Sequence, residues 1–359
     1  VNERAILVGT VLGRTPPQEE EESLRELSRL AQSAGAGVID MIVQRRPRPD
    51  AAHFVGKGKA QEIAQAVAAS RADLAVFDHD LTPSQAAKLG ALLGCRVIDR
   101  AELIMDIFAL RARSAEAKIQ VELAQLQYRF SRLVGAGLEM SDPGGGIGTR
   151  GPGEKQLELD RRKIRDRIAR LKRDLARVEQ QRRTQRKSRA GAFRAALAGY
   201  TNAGKSTLMN RLAHAGVAVR DQLFATLDAT TRIAALPHGG RYLLTDTVGF
   251  IRRLPHQLVA SFKATLEEVV EADLVLHVVD TPHAAREQEM GAVRAVLAGI
   301  GAGGSELVVF NKADLLDGRT RRELAWRHPD AVFVSAATGE GKDGLLSRIE
   351  SAMAGAARA

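Results

Sequence analysis

Cysteine is almost missing from this chain of 359 residues: Cys95 stands alone, so no intramolecular disulfide can form. That usage fits a reducing compartment. Aromatic residues make up only 4%, which argues against a platform of stacked bases for single-stranded nucleic acid. No apolar run approaches the roughly eighteen residues that a membrane-spanning helix needs. No signal peptide is expected, because the short apolar run Ala5–Leu12 soon meets the acidic cluster Glu19–Glu22. A cytoplasmic location is the expectation from these absences.

What is present points to folded domains with one unusual segment. Hydrophobic residues reach 45%, ample for real cores, and the length allows two or three domains. The net charge of +10 is concentrated. Between Arg161 and Ala190 there are fourteen Lys and Arg against three Asp and Glu, so the rest of the chain is near neutral. A basic surplus held in one segment is the footprint of a polyanion contact; the alternative is a solvated helix whose charge only aids solubility.

Residues 1–110 alternate strand-like and helix-like stretches. Ala5–Leu12, Gly37–Val43, Leu74–Phe77 and Arg96–Ile98 read as strands, with helices at Leu24–Ala34, Lys59–Ala69 and Pro83–Leu93. This alternation predicts a small parallel α/β domain. Gly56-Lys57-Gly58-Lys59 lacks the spacing of a nucleotide loop and reads as a turn into the next helix. Residues 111–190 differ in kind. Ile119, Leu123, Leu126, Phe130 and Leu133 step by four and three, as do Ile164, Ile168, Leu171, Leu175 and Val178. Two heptad seams separated by the Gly-rich stretch 143–153 predict an antiparallel helical hairpin with a long tip loop.

From Arg194 a different logic begins. A short strand runs into Gly199-Tyr200-Thr201-Asn202-Ala203-Gly204-Lys205-Ser206-Thr207, the P-loop spacing. Its glycines let backbone N–H groups close on phosphate, Lys205 would reach the β- and γ-phosphates, and the Ser206 hydroxyl would ligate Mg²⁺. The strand Tyr242–Thr245 leads to Asp246-Thr247-Val248-Gly249. There Asp246 can hold Mg²⁺ through water and the Gly249 backbone can meet the γ-phosphate. Between these motifs lies Phe224-Ala225-Thr226-Leu227-Asp228, where Thr226 can supply a second hydroxyl to Mg²⁺, as an ordered switch does. Leu307–Phe310 ends in Asn311-Lys312-Ala313-Asp314, whose Asp can accept two hydrogen bonds from guanine. Adenine offers no such pair, and a site built around that Asp would leave it unpaired with ATP, though use of ATP as well stays open. Val332–Val334 ends in Ser335-Ala336-Ala337, a small-residue turn suited to backbone contact with the base. The order of these motifs, each at a strand end, predicts a doubly wound, mostly parallel P-loop GTPase domain over residues 191–359. Lys205, Thr226 and Gly249 are its expected catalytic groups.

The sequence resembles the HflX family of translational GTPases, within the wider group that includes Obg. The resemblance covers nearly the whole chain. It rests on Gly199–Thr207, on Phe224–Asp228 followed by Thr230-Thr231-Arg232, on Asp246-Thr247-Val248-Gly249-Phe250, and on Gly148-Thr149-Arg150-Gly151-Pro152-Gly153-Glu154-Lys155 before the basic helix. It implies a cytoplasmic protein that binds the large ribosomal subunit and its rRNA, hydrolyses GTP, and in some members splits ribosomes. It also implies Ser206 and Thr226 as Mg²⁺ ligands. Ala229 stands where the family often has Pro, and the chain stops soon after the helix expected at Gly344–Met353, so functions of the further C-terminal domain that some members carry do not transfer.

Three points stay open at this level. Phe250 follows Gly249 in place of the water-positioning Gln of many GTPases, so a nucleotide-gated binder with negligible turnover is the alternative to an active hydrolase. Asn202 either shapes the phosphate loop or, as in several related GTPases, holds K⁺ against the phosphates. A lipid surface as the polyanion is disfavoured, because the basic helix has a seam that wants a partner helix and no Trp- or Phe-rich face. A monomer with no membrane or DNA partner is the working expectation.

Overall fold

The computed structural model describes residues 3–13, 15–140, 152–187, 191–213, 223–224, 227–253 and 263–356. Two compact units emerge: Val1–Leu110 with Lys118–Ala176, and Arg111–Ala117 with Arg177–Ala359. The bulk of the hairpin therefore groups with the N-terminal α/β layer.

In the first unit, β1 (Arg4–Leu12), β2 (Gly37–Arg46), β3 (Leu74–Phe77) and β4 (Arg96–Asp99) form a parallel sheet in the order β2-β1-β3-β4. β1 is buried along nearly its whole length, which is why it reads as a continuous apolar run rather than an alternating one. Ile6, Val8 and Phe77 pack with Ile63, Val67, Leu89 and Leu93 of the helices α2 (Lys57–Ser70) and α3 (Pro83–Leu93). α3 is delimited by chemistry visible in the sequence: a Thr82/Gln85 capping box, Pro83 in its first turn and left-handed Gly94 at its end. The turn at Gly56 does lead into a helix, with Gly56 as the N-cap of α2.

Helix α1 (Pro17–Ser33) starts seven residues before the apolar pattern does. Pro17 is preset for a first turn, and Glu19 and Glu20 complement the positive end of the helix dipole. Helix α4 (Arg100–Arg111) was not anticipated; it buries Leu103, Ile104, Ile107 and Phe108. Its first residue, Arg100, is 1% exposed and lies between two buried carboxylates. Nη1 donates to Asp78 Oδ1 at 2.6 Å and to Ser23 Oγ at 3.0 Å, and Nη2 donates to Glu26. This cluster ties α1, the end of β3 and the start of α4 together.

The hairpin helices are α5 (Ala115–Met140) and α6 (Pro152–Lys187). α6 opens on Pro152, so the last two residues of the expected tip loop are helical, while 141–151 lie outside the described residues. The pairing is antiparallel: Arg161 Nη2 donates to the Leu133 carbonyl at 2.6 Å, Arg165 lies over the Phe130 ring, and Arg167 forms a two-pronged ion pair with Glu122. The expected seam positions from Ile119 to Leu133 and from Ile164 to Val178 are all buried or half-buried.

The second unit is a six-stranded sheet in the order β10-β9-β8-β5-β7-β6. It comprises β5 (Arg194–Gly199), β6 (Thr230–Ala235), β7 (Arg241–Asp246), β8 (Leu274–Asp280), β9 (Ser305–Asn311) and β10 (Val332–Phe333). All pairs are parallel except β6 with β7. β6 escaped the sequence reading because it is an edge strand, half-exposed and polar at its start. One core cluster joins Leu197, Leu276 and Val309 of the sheet to Leu208, Met209 and Leu212 of α7 (Lys205–Ala213). β5 lies between β7 and β8, so the crevice at its carboxyl end is where the winding of the sheet reverses.

Replacing Arg100 with Met should destabilise the first unit by about 3–5 kcal/mol, because Asp78 and Glu26 would be left as uncompensated buried charges. Denaturant titration of Arg100→Met against a triple variant that also carries Asp78→Asn and Glu26→Gln should show recovery of much of that loss.

Candidate active site

The phosphate loop turns from β5 at Gly199, and its shape requires glycine at two places. At Gly199 (φ 156°) a Cβ would lie 2.2 Å from the Val278 carbonyl oxygen, and at Gly204 (φ 88°) 2.2 Å from Asn311 Nδ2. Asn202, exposed at the tip, is left-handed at φ 62°. Lys205 is buried at the start of α7, and its ammonium donates to the carbonyls of Gly199 at 3.0 Å and Tyr200 at 2.8 Å. Burial pushes its pKa down to about 8, opposed by the charge of Asp246. A phosphate at the loop would favour the charged form and oppose that shift.

Ser206 Oγ donates to Asp246 Oδ2 at 2.6 Å, across from α7 to the end of β7. Two hard oxygen donors meeting at the mouth of a phosphate loop suit Mg²⁺. Thr247 is fully buried, and its hydroxyl donates to the Leu197 carbonyl at 2.7 Å, so it anchors β7 to β5. The chain beyond it is sewn to the phosphate loop: Thr201 N–H donates to the Phe250 carbonyl at 2.7 Å and Phe250 N–H to the Gly199 carbonyl at 3.1 Å. Gly249 lies so close that a Cβ there would be 2.8 Å from Thr201 Cγ2, 2.9 Å from Thr201 Cα and 3.0 Å from Lys205 Nζ. Val248 is buried, and Phe250, 1% exposed, is a packing residue with no group to position water.

The base end is braced by Asn311, which is 2% exposed. Its Nδ2 donates to the Ala203 carbonyl at 2.8 Å and its Oδ1 accepts from Ala336 N–H at 3.0 Å. One amide thus joins the phosphate loop to Ser335-Ala336-Ala337. Lys312 is left-handed and pairs with Asp280, and Asp314 lies exposed on the following turn. Arg211 of α7 donates to the carbonyls of Ala336 and Ala337, a support that sequence pattern could not reveal because the partners are 125 and 126 residues away.

Of the expected switch segment, Phe224 and Leu227 are buried, and Phe224 is left-handed at φ 56°. Ala225 and Thr226 lie outside the described residues. The Asp228 carboxylate accepts from both the backbone N–H and the hydroxyl of Ser114. Ser114 was not foreseen in any role.

Similarity to known proteins agrees with this geometry. Three family descriptions match residues between 21 and 312: GTP-binding GTPase N-terminal over residues 21–109, GTP-binding GTPase middle region over 111–189, and 50S ribosome-binding GTPase over 194–312. The GTPase HflX of Caldanaerobacter subterraneus is 47% identical over 355 residues, covering 97% of this chain and 80% of its own. That of Escherichia coli K12 is 46% identical over 359 residues, covering 98% and 83%. The chain belongs to the HflX family. As an HflX-family GTPase it binds GTP and GDP and hydrolyses GTP. A GTP-binding protein from Sulfolobus solfataricus, solved in complex with GDP, superposes with a TM-score of 0.51 at 22% identity, covering 98% of both chains, and shares the fold.

Substituting Gly249 by Ala should separate the loop after β7 from the phosphate loop, because Thr201 Cα is backbone and cannot yield cheaply. Affinity for a slowly hydrolysed GTP analogue should fall by at least about tenfold more than affinity for GDP, the difference that one hydrogen bond to the γ-phosphate makes. Equal losses in a direct titration would remove the γ-phosphate role from Gly249.

Proposed function

We propose that this HflX-family member is a cytoplasmic, Mg²⁺-dependent GTPase that docks on the large ribosomal subunit through the basic surface of α6 and acts in ribosome splitting, rescue or biogenesis. The observation that carries the reading is the partition of α6. Its seam residues Ile164, Ile168, Leu171, Leu175 and Val178 turn inward, whereas Arg162, Arg165, Lys172 and Arg173 are exposed. A helix that satisfies its apolar face internally and leaves its cations to solvent presents them to phosphates. Arg183 and the tip around Arg150 and Lys155, part of the same expected surface, lie outside the described side chains. Among the described residues no helix is long and apolar enough to cross a membrane.

In the hydrolytic site, Ser206 and, through water, Asp246 would hold Mg²⁺, with Thr226 completing the set when the γ-phosphate is present. Bound there, Mg²⁺ neutralises charge that develops on the β- and γ-phosphate oxygens. Lys205 supplies a second positive group at the same oxygens, and the N–H groups of the phosphate loop orient them. Gly249 offers a backbone contact to the γ-phosphate. Asn202, exposed at the loop tip, would hold K⁺ if the missing Gln is replaced by a cation. Asp314 selects guanine by accepting from its N1 and N2 groups, with Ser335-Ala336-Ala337 beside the base.

Two experiments test the reading. Arg162→Glu, Lys172→Glu and Arg173→Glu together should strongly weaken co-sedimentation with large subunits. The log–log salt slope should become shallower by roughly one unit for each phosphate no longer neutralised. GTP affinity of the protein alone should be nearly unchanged. Intact co-sedimentation across the salt series would make α6 a solvated face. Separately, Asp314→Asn should lower GTP affinity by roughly 2–5 kcal/mol and shift preference towards xanthine nucleotide. A direct titration showing unaltered GTP affinity would remove Asp314 from base recognition.

A further inference from the structure

Ser114 belongs to no nucleotide motif. It lies in the segment Arg111–Ala117, which groups with the GTPase domain although the chain on both sides belongs to the other unit. Ala112, Glu116 and Ala117 of that segment are buried. The Ser114 backbone N–H donates to Asp228 Oδ2 at 3.2 Å, and its hydroxyl donates to Asp228 Oδ1. The hydroxyl oxygen in turn accepts from the Ala117 N–H at 3.0 Å, which makes Ser114 the N-cap of α5. A single side chain thus joins the start of a hairpin helix to the segment expected to sense the γ-phosphate.

Asp228 is a well-placed handle for that segment. Two residues later the chain enters β6, where Thr230 stands opposite Asp246 in the antiparallel register. Asp228 is therefore held on one side by a β-ladder that ends at the Mg²⁺ residue of β7, and on another by two hydrogen bonds to a charged acceptor, the stronger kind.

We infer that Ser114 is a positioning residue for GTP hydrolysis: by holding the Asp228 carboxylate it fixes the stem of the first switch where the chain enters β6. The inference rests on the reading of residues 224–232 as that switch. It carries a thermodynamic corollary. If the Ser114–Asp228 pairing favours the GTP-ordered switch, GTP must strengthen the pairing by the same factor, because coupling between two sites is reciprocal. The first turn of α5 would then report the nucleotide state to the hairpin along its own backbone.

The test uses the full chain with Ser114→Ala, Asp228→Asn, their double variant, Ser114→Thr and Thr226→Ala. Steady-state hydrolysis should show kcat lowered about tenfold by either single change with KM for GTP altered far less, the rate equivalent of one charge-assisted hydrogen bond. The double variant should be no slower than the singles, and Ser114→Thr should restore most of the rate, because the two groups act as one unit. In the unaltered protein, amide exchange at Ala117 should be slower with a slowly hydrolysed GTP analogue than with GDP, and Asp228→Asn should erase the difference. Unchanged kcat in both singles, additive losses in the double variant, or exchange at Ala117 indifferent to nucleotide would each overturn the inference. A residue that merely capped α5 would give that last result. Thr226→Ala separates the two failures. If it weakens GTP-analogue binding and spares GDP while the Ser114 variants are silent, the anchor alone is wrong. If it weakens both equally, the switch reading falls as well.

Discussion

The nucleotide end of the GTPase domain depends on one buried amide. Asn311 spends its donor on the Ala203 carbonyl and its acceptor on the Ala336 N–H, while its own backbone carbonyl accepts from Thr281 N–H at 3.2 Å. Three loops that arise from three different strands are thereby held at fixed separation around a buried side chain. Carboxamide chemistry is required, since a carboxylate lacks the donor and an aliphatic side chain lacks both. Asn-Lys-x-Asp thus pairs a buried structural Asn that aligns the loops with an exposed Asp three residues on.

Much of this was legible because P-loop chemistry is local. The glycines, Lys205 and Ser206 lie within eight residues, and the strand before and helix after them follow from apolar runs of the right length. The four parallel strands of the first unit were legible for the same reason: buried parallel strands are continuous apolar runs bounded by turn residues. What escaped was of two kinds. Elements with a polar face, such as the first turn of α1 and the edge strand β6, carry too little periodic signal, because packing on one side fixes them. Side chains whose role depends on a distant partner were also invisible: Arg211 with the loop at residue 336, Arg100 between Glu26 and Asp78, and Ser114 with Asp228. Nothing in a linear pattern distinguishes these from any surface Arg or Ser.

The two basic populations of the chain show how burial decides what a charge does. Arg100 is surrounded by carboxylates and a hydroxyl, and its charge serves the fold. Lys205 is also buried, but its hydrogen bonds go to carbonyls and burial weakens its hold on a proton against the opposing charge of Asp246. On α6, by contrast, Arg162, Lys172 and Arg173 are exposed to solvent.

The segment Arg111–Ala117 makes the chain cross between units three times, near residues 110, 117 and 176. Neither unit is therefore contiguous in sequence, and this bears on the order of synthesis. Residues 111–117 emerge from the ribosome long before the strands they join, and Ser114 must wait for more than a hundred residues before Asp228 exists to bind it. The N-terminal layer can close as soon as the second hairpin helix has emerged, whereas the GTPase domain can become complete only by recruiting a piece of chain flanked in sequence on both sides by the other unit. For the same reason a GTPase domain excised at residue 191 would be a different object from the domain in the whole protein: it would keep every nucleotide motif and lack the serine that binds Asp228.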